Sequence, residues 1–564
     1  MIYVSDDPIA AALTGSGGAY ELIREGAGRE VVKGFPRTLT ELYRHAGKHA
    51  RSVMTISGGT PVTFETMFAR AAPLSRTLER RFGVARGSYV AIAMANGPEW
   101  MMSFIAITAL GGIVVAVNSR GAPEELLSAI ERTGCGLVLI DAERAALLAA
   151  ASTTLPFAQI VVGESDALIR PGRDMSFAAA SDDRSTAALS LETVDPGDPA
   201  LVLFTSGTTG YPKGALQSHG ALAHAVALAG LCGTMTDLRY EEEFSRSIET
   251  GRRSNHSPTI IAGPLFHLGG IIPFLRCMYF GARTLLAGKW NPENVFRMIE
   301  TERVARLGFV PTMIWDLLRS PLAGPANIRQ VLFISSGAAA IVPALTREIA
   351  ERMPQCMLGN TYGSTETAGY VSTICGREFL ANPMSCGRIV PTVGIRLLDE
   401  KGQDAPSGEP GEIAVRSPCV MNGYVGDPEA TEAAFHDGWF RTGDIGRMNE
   451  ANLLHIVDRK KNMVISGGEN IYCAEVERIL AEQEGVLEVL AYGVPDDRLG
   501  EKLAVTILPA SDARLTDEAV KSYVAKRLAI YKVPRIVEFR DTPFARTPSG
   551  KLDRAGFLRA RFQV

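Results

Sequence analysis

The stretch that most restricts what this chain can become is Leu201 to Gly214, LVLFTSGTTGYPKG. Its four leading apolar residues predict a buried strand. Thr205, Ser206, Gly207, Thr208, Thr209 and Gly210 then give a loop with little side-chain bulk and many N–H and hydroxyl donors. Glycine permits the φ angles that turn successive N–H groups inward, as in an anion-binding nest, and Lys213 adds a compact positive charge. Such a loop suits a polyphosphate. It is not a Walker A loop, because Pro212 precedes the lysine and Gly214 follows it, where that pattern requires Ser or Thr for magnesium. A flexible Gly/Ser/Thr linker has the same composition, but it needs neither the strand before nor the Pro-Lys after.

The chain around this loop has 564 residues, which is too long for one ordinary core and predicts two to four folding units. Hydrophobic residues at 46% and charged residues at 21% describe a soluble globular protein, and a net charge of −4 argues for neither nucleic acid nor an anionic membrane as partner. The cysteines, from Cys135 to Cys473, show no CxxC or other metal-ligand spacing and read as reduced residues of a cytoplasmic protein. MIYVSDDPIA carries two acids and lacks the basic-then-apolar order of a leader peptide. Trp100 to Val117 approaches the length of a membrane span, yet Gly111-Gly112 divides it into a helix-like half and a β-branched half, which suits a buried helix leading into a buried strand.

Residues 1–35 show no clear pattern and read as an N-terminal extension. From Leu39 onward helical patterns alternate with short strands: a helix over Phe64 to Arg81, a strand over Tyr89 to Met94, a helix from Gly97, and strands at Gly136 to Ile140, Ile160 to Val162 and Leu201 to Phe204. This succession predicts parallel sheets covered by helices on both faces, the doubly wound α/β class. Ser165 to Pro199 reads as a surface excursion, His219 to Leu231 as a helix, and Asp237 to Ser257 as a solvated insertion. Phe309 to Thr312 (FVPT) and Phe333 to Ala340 (FISSGAAA) read as buried strands whose small end residues leave room for something flat.

TSGTTGYPKG resembles the phosphate-loop signature of the adenylate-forming superfamily of acyl-CoA synthetases, luciferases and peptide-synthetase adenylation domains. The resemblance runs from about Thr38 to Leu558 and rests on several further motifs. IIAGPLFHLGG, from Ile260, places His267 as a ring that helps position a carboxylate; read alone, it is a turn histidine with its tip in water. Peptide-synthetase domains commonly carry Asp at this position, so a free amino acid is a poorer candidate substrate. Asn360 to Thr367, NTYGSTET, matches a nucleotide signature: Glu366 is the candidate magnesium ligand, Thr365 a donor to the α-phosphate, Tyr362 a stacking partner for adenine, with Asn360, Thr361 and Gly363 beside it. Gly337 and Ala338 are implied to border adenine, and Ser335 and Ser336 to approach the acyl group. In DGWFRTGDIG, Asp444 is the candidate for the ribose hydroxyls, as a carboxylate serves in dinucleotide folds. Arg459 is implied to contact ribose or phosphate, Lys461 to be the hinge residue, Gly467 and Gly468 to line a pantetheine tunnel, and Lys551, in RTPSGKLDR, to reach the carboxylate and α-phosphate.

These motifs imply an extension over 1–35, an AMP-binding domain over 36–458 with a β-rich subdomain, a hinge at 459–461 and a small mobile α+β lid over 462–564. The implied reaction activates a carboxylate with ATP and Mg2+ to an acyl-adenylate, then passes the acyl group to the thiol of CoA. Lys551, Glu366, Thr205 and His267 are its catalytic candidates. The inferred pocket segments, with Leu268, Gly269, Gly270, Ile271, Val310 and Ala338 to Ala340, are apolar and rather small and have no arginine placed to bind a second carboxylate, which favours a hydrophobic fatty, aryl or alicyclic monocarboxylate. A carrier-protein thiol as acceptor and a non-catalytic nucleotide-binding homologue are the alternatives, and a homodimer is compatible with either.

Overall fold

The computed structural model describes the chain except for residues 26–28, 153, 165, 183–186, 206–211, 242–253, 325–327, 338–340, 342, 467–468, 497, 512, 548–551 and 563–564. It divides into two compact units. The larger holds Val4–Gly394 and Arg416–Phe435; the smaller holds Met1–Tyr3, Ile395–Val415 and His436–Val564.

Three sheets of four or more strands form the body of the larger unit among the described residues. In spatial order the eight-stranded sheet runs Gly423–Tyr424, Lys213–Ser218, Pro199–Thr205, Ile113–Ala116, Tyr89–Ala93, Leu137–Asp141, Ala158–Val162, Met175–Ser176. From Pro199–Thr205 to the far edge every pairing is parallel, whereas Lys213–Ser218 and Gly423–Tyr424 add on antiparallel. The strand that follows Tyr89–Ala93 lies on one of its sides and the next strand on the other. Crevices at the C-terminal ends of strands around such a reversal are where open α/β sheets bind ligands. A five-stranded sheet runs Arg306–Gly308, Phe333–Gly337, Met357–Tyr362, Ser372–Cys375, Arg388–Ile389, and a four-stranded one Thr259–Ile261, Thr284–Leu286, Val53–Ser57, Thr60–Thr63.

The strongest apolar run resolves as its glycines demand. Pro98–Ala109 is a helix whose residues from Trp100 to Ala109 are all buried, Gly111 turns at φ 68°, and Ile113–Ala116 is a fully buried strand. The helix at His219 is longer than its alanine-rich start implies. It runs to Arg239, capped by the Ser218 hydroxyl accepting from Ala221 N. It alone among the described helices is long and apolar enough to cross a membrane, and about two-thirds of that window (67%) is buried inside the protein.

Three local expectations differ from the structure. FVPT is not a strand: the strand is Arg306–Gly308, and Pro311 opens the helix Pro311–Arg319, where a missing N–H costs nothing. The N-terminal extension is ordered. Asp7 caps the helix Pro8–Thr14 through Ile9 N at 2.9 Å, and Leu22–Glu25 pairs antiparallel with Arg29–Val32. Tyr20 and Thr234 share a hydrogen bond of 3.1 Å, and Arg239 is ion-paired with Asp7, so the extension is held against the outer end of the His219 helix. Finally, Asp237, expected on a solvated insertion, is buried; it accepts from Ser254 N at 2.8 Å and Ser254 Oγ at 2.7 Å and pairs with Arg306 at 2.5 Å.

Two buried histidines on the same helix make the larger unit acid-sensitive. Burial pushes both His219 and His224 down to about 4 from the usual 6.5. The His224 ring bonds Thr392 Oγ1 at 2.8 Å. Because each is neutral when folded and takes a proton when unfolded, stability is fully present above pH 6.5 and is lost as pH falls toward 4. Each histidine accounts for about 3 kcal/mol of that loss. Urea midpoints measured from pH 7 to 4.5 should therefore fall steeply, and His224→Gln, which can keep the bond to Thr392, should remove about half of the histidine-linked fall.

The smaller unit carries two further sheets. One orders Gly394–Leu398, Gly411–Arg416, Trp439–Met448 and Phe435–His436, with Leu454–Arg459 also paired to Trp439–Met448. The other orders Glu469–Tyr472, Met463–Ser466, Gly500–Pro509 and Val486–Asp496, with Ile536–Phe539 parallel to Gly500–Pro509. The helices Cys473–Ala481 and Asp517–Ala525 pack on the latter sheet through Cys473, Val476, Leu480, Val520 and Val524.

Candidate active site

In the larger unit the phosphate loop is the turn of a hairpin. Thr205 and Lys213 are paired across Pro199–Thr205 and Lys213–Ser218, and the Thr205 hydroxyl donates to Lys213 O at 3.4 Å. Ser206, Gly207, Thr208, Thr209 and Gly210 lie outside the described residues. The strand that follows ties this loop to the second motif, since buried Gln217 donates from Nε2 to Thr365 O at 2.7 Å.

Glu366 sits in the short helix Thr365–Thr367, entered from Ser364, whose N–H donates to Thr367 Oγ1 at 2.9 Å. Its backbone carbonyl accepts from Met421 N at 2.8 Å, and its Oε1 accepts from the Tyr424 hydroxyl at 3.0 Å. Tyr424 also receives Lys213, whose Nζ lies 5.2 Å from the ring centroid. Lys213, Tyr424 and Glu366 thus stand in line, cation on ring face and carboxylate on ring hydroxyl. Sequence reading missed Tyr424. It reaches this place because Gly423–Tyr424 pairs with Ala215 and Leu216, and nothing local in MNGYVG announces that pairing.

Glu366 keeps its second carboxylate oxygen without a protein partner among the described residues. Among these residues there is also no cluster of three or more His, Cys, Asp or Glu able to cage a metal. One free carboxylate oxygen beside a phosphate loop fits Mg2+, which ordinarily takes one or two protein carboxylates and completes its shell with phosphate oxygens and water.

Tyr362, Thr361 and Asn360 end the strand Met357–Tyr362, and Gly337, at the end of the neighbouring strand, pairs with Thr361. Ala338 lies outside the described residues. At Gly363 a Cβ would lie 2.3 Å from the backbone of Gly369, so only glycine lets the two limbs of this loop meet. His267 is the N-cap residue of the helix Leu268–Phe280, half-buried, its ring 4.6 Å from that of Phe266. The turn before it is pinned by Asn96, which donates to Gly263 O at 2.9 Å and accepts from Leu265 N at 2.8 Å.

In the smaller unit Asp444 is buried and faces Arg459 across a ladder; Arg459 Nε lies 2.6 Å from Asp444 Oδ1. Next to them, burial raises Glu412, but its bonds to Arg441 and Lys460 outweigh this and hold it below the usual carboxylate range. Burial raises Asp458, which accepts from Ala474 N at 2.8 Å. Lys461 falls in the short helix Lys460–Asn462. Gly467, Gly468 and Lys551 lie outside the described residues, but the chain around Lys551 is closed at its base by a bridge between Arg546 and Leu552.

A hairpin whose loop carries TSGTTGYPKG and a Thr-Glu turn bonded to its second strand point to a known family. A profile of AMP-binding enzymes matches residues 42–425, and one of the AMP-binding enzyme C-terminal domain matches residues 475–551. The chain is an AMP-binding enzyme. It is 33% identical over 518 residues to a feruloyl-CoA synthase of an Amycolatopsis species, covering 91% of this chain and 96% of the relative. It is 30% identical over 531 residues to a 3-(methyl-dioxo-octahydroindenyl)propanoyl:CoA ligase of Rhodococcus jostii, covering 91% and 97%. Among solved structures it resembles ATP-bound MatB from Rhodopseudomonas palustris, with a TM-score of 0.79 at 25% identity, covering 93% of this chain and 99% of MatB. The doubly wound fold of this AMP-binding enzyme, with a large N-terminal and a small C-terminal part, is therefore that of the adenylate-forming family.

Proposed function

We infer that this AMP-binding enzyme is an ATP-dependent acid–thiol ligase: it converts a hydrophobic monocarboxylate to an acyl-adenylate, releasing pyrophosphate, and then to the CoA thioester, releasing AMP. The observation that carries the reading is the end-to-end match to CoA ligases, 96% of the feruloyl-CoA synthase's length. The named acids of the two relatives are an aryl and an alicyclic one.

A carboxylate is a poor acyl donor because oxide is a poor leaving group; joining its oxygen to AMP removes that obstacle. In the first step a carboxylate oxygen attacks the α-phosphorus and the bond to pyrophosphate breaks. Two anions must meet, so positive charge is needed where charge concentrates in the transition state. Lys213 and the loop from Thr205 hold the phosphates, and Tyr424 keeps both Lys213 and Glu366 in place. The free oxygen of Glu366 would hold Mg2+, which when bound shields the phosphate charge. His267 positions the carboxylate, Tyr362 and Gly337 border adenine, and Asp444, oriented by Arg459, takes the ribose hydroxyls. Lys551 acts on the carboxylate and α-phosphate in this step. In the second step the CoA sulfur attacks the acyl carbon and AMP leaves, and Lys551 has no task there. A hinge at 459–461 lets the C-terminal domain present Lys551 first and the Gly467 loop second. No cysteine is required as a nucleophile, and all of them are free thiols, those at 135, 277, 419 and 473 buried.

The test is pyrophosphate release with ATP, Mg2+ and a panel of aryl, alicyclic and fatty acids, each with and without CoA, with the thioester identified by mass. The expected result is CoA-dependent turnover with at least one class of acid. Adenylate formation that CoA neither accelerates nor consumes would overturn CoA as the acceptor and favour a carrier-protein thiol.

A further inference from the structure

On the acyl-CoA ligase reading, the two reactants of the first step are held on different sheets. The phosphate loop leaves the strand Pro199–Thr205 of the eight-stranded sheet, whereas the turn to His267 follows Thr259–Ile261 of the four-stranded one. A carboxylate oxygen attacks well only from about 3–3.5 Å, so the spacing of the two sheets matters at this point. Asn96 joins them. It lies just beyond the C-terminal end of Tyr89–Ala93, two strands from Pro199–Thr205 and so about 10 Å across the sheet.

The Asn96 amide serves the turn as a neighbouring strand would. Its Nδ2 donates to Gly263 O at 2.9 Å, and its Oδ1 accepts from Leu265 N at 2.8 Å. These are the carbonyl and the N–H on either side of Pro264, the pair of groups that a parallel strand engages around one residue, and Pro264 has no N–H of its own to offer. His267 N then closes the turn by donating to Pro264 O at 3.1 Å. The following helix presses on the same peptide, since a Cβ at Gly270 would overlap Pro264 O. Leu265 and Phe266 are buried, so the turn cannot slide without unpacking them. Asn96 is braced in its own sheet. Ala95 N donates to Asp141 Oδ2 at 2.9 Å, Asp141 pairs with Arg144 at 2.9 Å, and Arg144 Nε donates to Ser119 O at 2.8 Å. The chain ends leaving the three strands around the sheet's reversal are thereby tied together. Among side chains only Asn and Gln donate and accept through one planar amide, and Gln is a methylene longer.

We propose that Asn96 is a positioning residue for adenylate formation: it fixes the Pro264–His267 turn against the sheet that carries the phosphate loop, and so sets the distance at which His267 presents the carboxylate to the α-phosphorus. This rests on the acyl-CoA ligase reading, which puts the carboxylate at His267. Asn96 acts through His267. Sequence reading passed over it because ANGPEW reads simply as the turn before a helix that Pro98 opens.

The experiment measures pyrophosphate release with ATP, Mg2+ and the acid of the panel that wild type turns over fastest, for Asn96→Ala, Asn96→Asp, His267→Ala and the double variant Asn96→Ala with His267→Ala. Asn96→Ala is expected to lower kcat/KM for the acid about thirtyfold, with KM for ATP within about twofold of wild type, because the phosphate loop keeps its own strand. Asn96→Asp keeps the acceptor for Leu265 N and loses the donor to Gly263 O, so it should fall between the two. In the His267→Ala background, Asn96→Ala should cost less than about threefold, as for two residues that act as one unit. Equal fold losses in both backgrounds overturn the proposal, since Asn96 would then not act through His267. So does an Asn96→Ala enzyme within about threefold of wild type, or a rise in KM for ATP that matches the loss for the acid, the mark of a generally loosened domain. If neither Asn96 variant folds, the residue serves the fold rather than the carboxylate, which also overturns it. Absence of turnover by wild type with the whole panel overturns the ligase reading instead.

Discussion

Glu366→Gln should slow adenylate formation about a thousandfold, the scale on which removing one preorganised electrostatic stabiliser acts. Glutamine preserves shape and can still accept from Tyr424, whose hydroxyl lies 3.0 Å from Oε1. What it loses is the negative charge on the oxygen that has no protein partner among the described residues, the atom suited to a divalent cation. Tyr424→Phe makes the complementary test. It leaves the charge but frees the carboxylate and withdraws nothing from the ring under Lys213, 5.2 Å away. About a tenfold loss is expected, expressed chiefly in KM for MgATP and partly recovered at higher Mg2+, as for a residue that orients a ligand rather than being one. Both are read by pyrophosphate release. A Glu366→Gln enzyme within a few-fold of wild type would remove Glu366 from the magnesium role.

Lys551→Ala should separate the two half-reactions. Adenylate formation falls about a thousandfold because a positive charge is withdrawn where carboxylate and α-phosphate meet, whereas thioester formation from supplied acyl-adenylate and CoA stays within about tenfold of wild type. The base of its loop is held by the Arg546–Leu552 bridge and by Asp553 N donating to Ala545 O at 2.8 Å, so truncating the lysine side chain leaves those bonds untouched. Equal loss in both half-reactions would mean that Lys551 does not act in one of them alone, and the hinge at 459–461 would lose its rationale.

Contiguous chemistry was legible in the amino-acid order. The strand into the TSGTTGYPKG loop and the NTYGSTET turn sit where short-range patterns put them, because a turn that brings backbone donors together needs its glycines and hydroxyls side by side. The interrupted apolar run from Trp100 was equally readable, since Gly111 supplies a φ that ends a helix whatever surrounds it. FVPT misled because an apolar run of that length suits strand or helix start alike, and Pro311 tips it toward the helix.

Tertiary structure alone decided two matters. Tyr424 becomes part of the candidate site only because a two-residue strand joins Lys213–Ser218 from more than 200 positions away, too short a strand to show any periodicity. The N-terminal extension is ordered by partners far along the chain, Asp7 by Arg239 and Tyr20 by Thr234, so its own sequence carries no sign of it. Sequence order determines which atoms are available at each turn; burial and long-range pairing determine which of them remain free to meet a substrate, because only folding removes the competing water and partners.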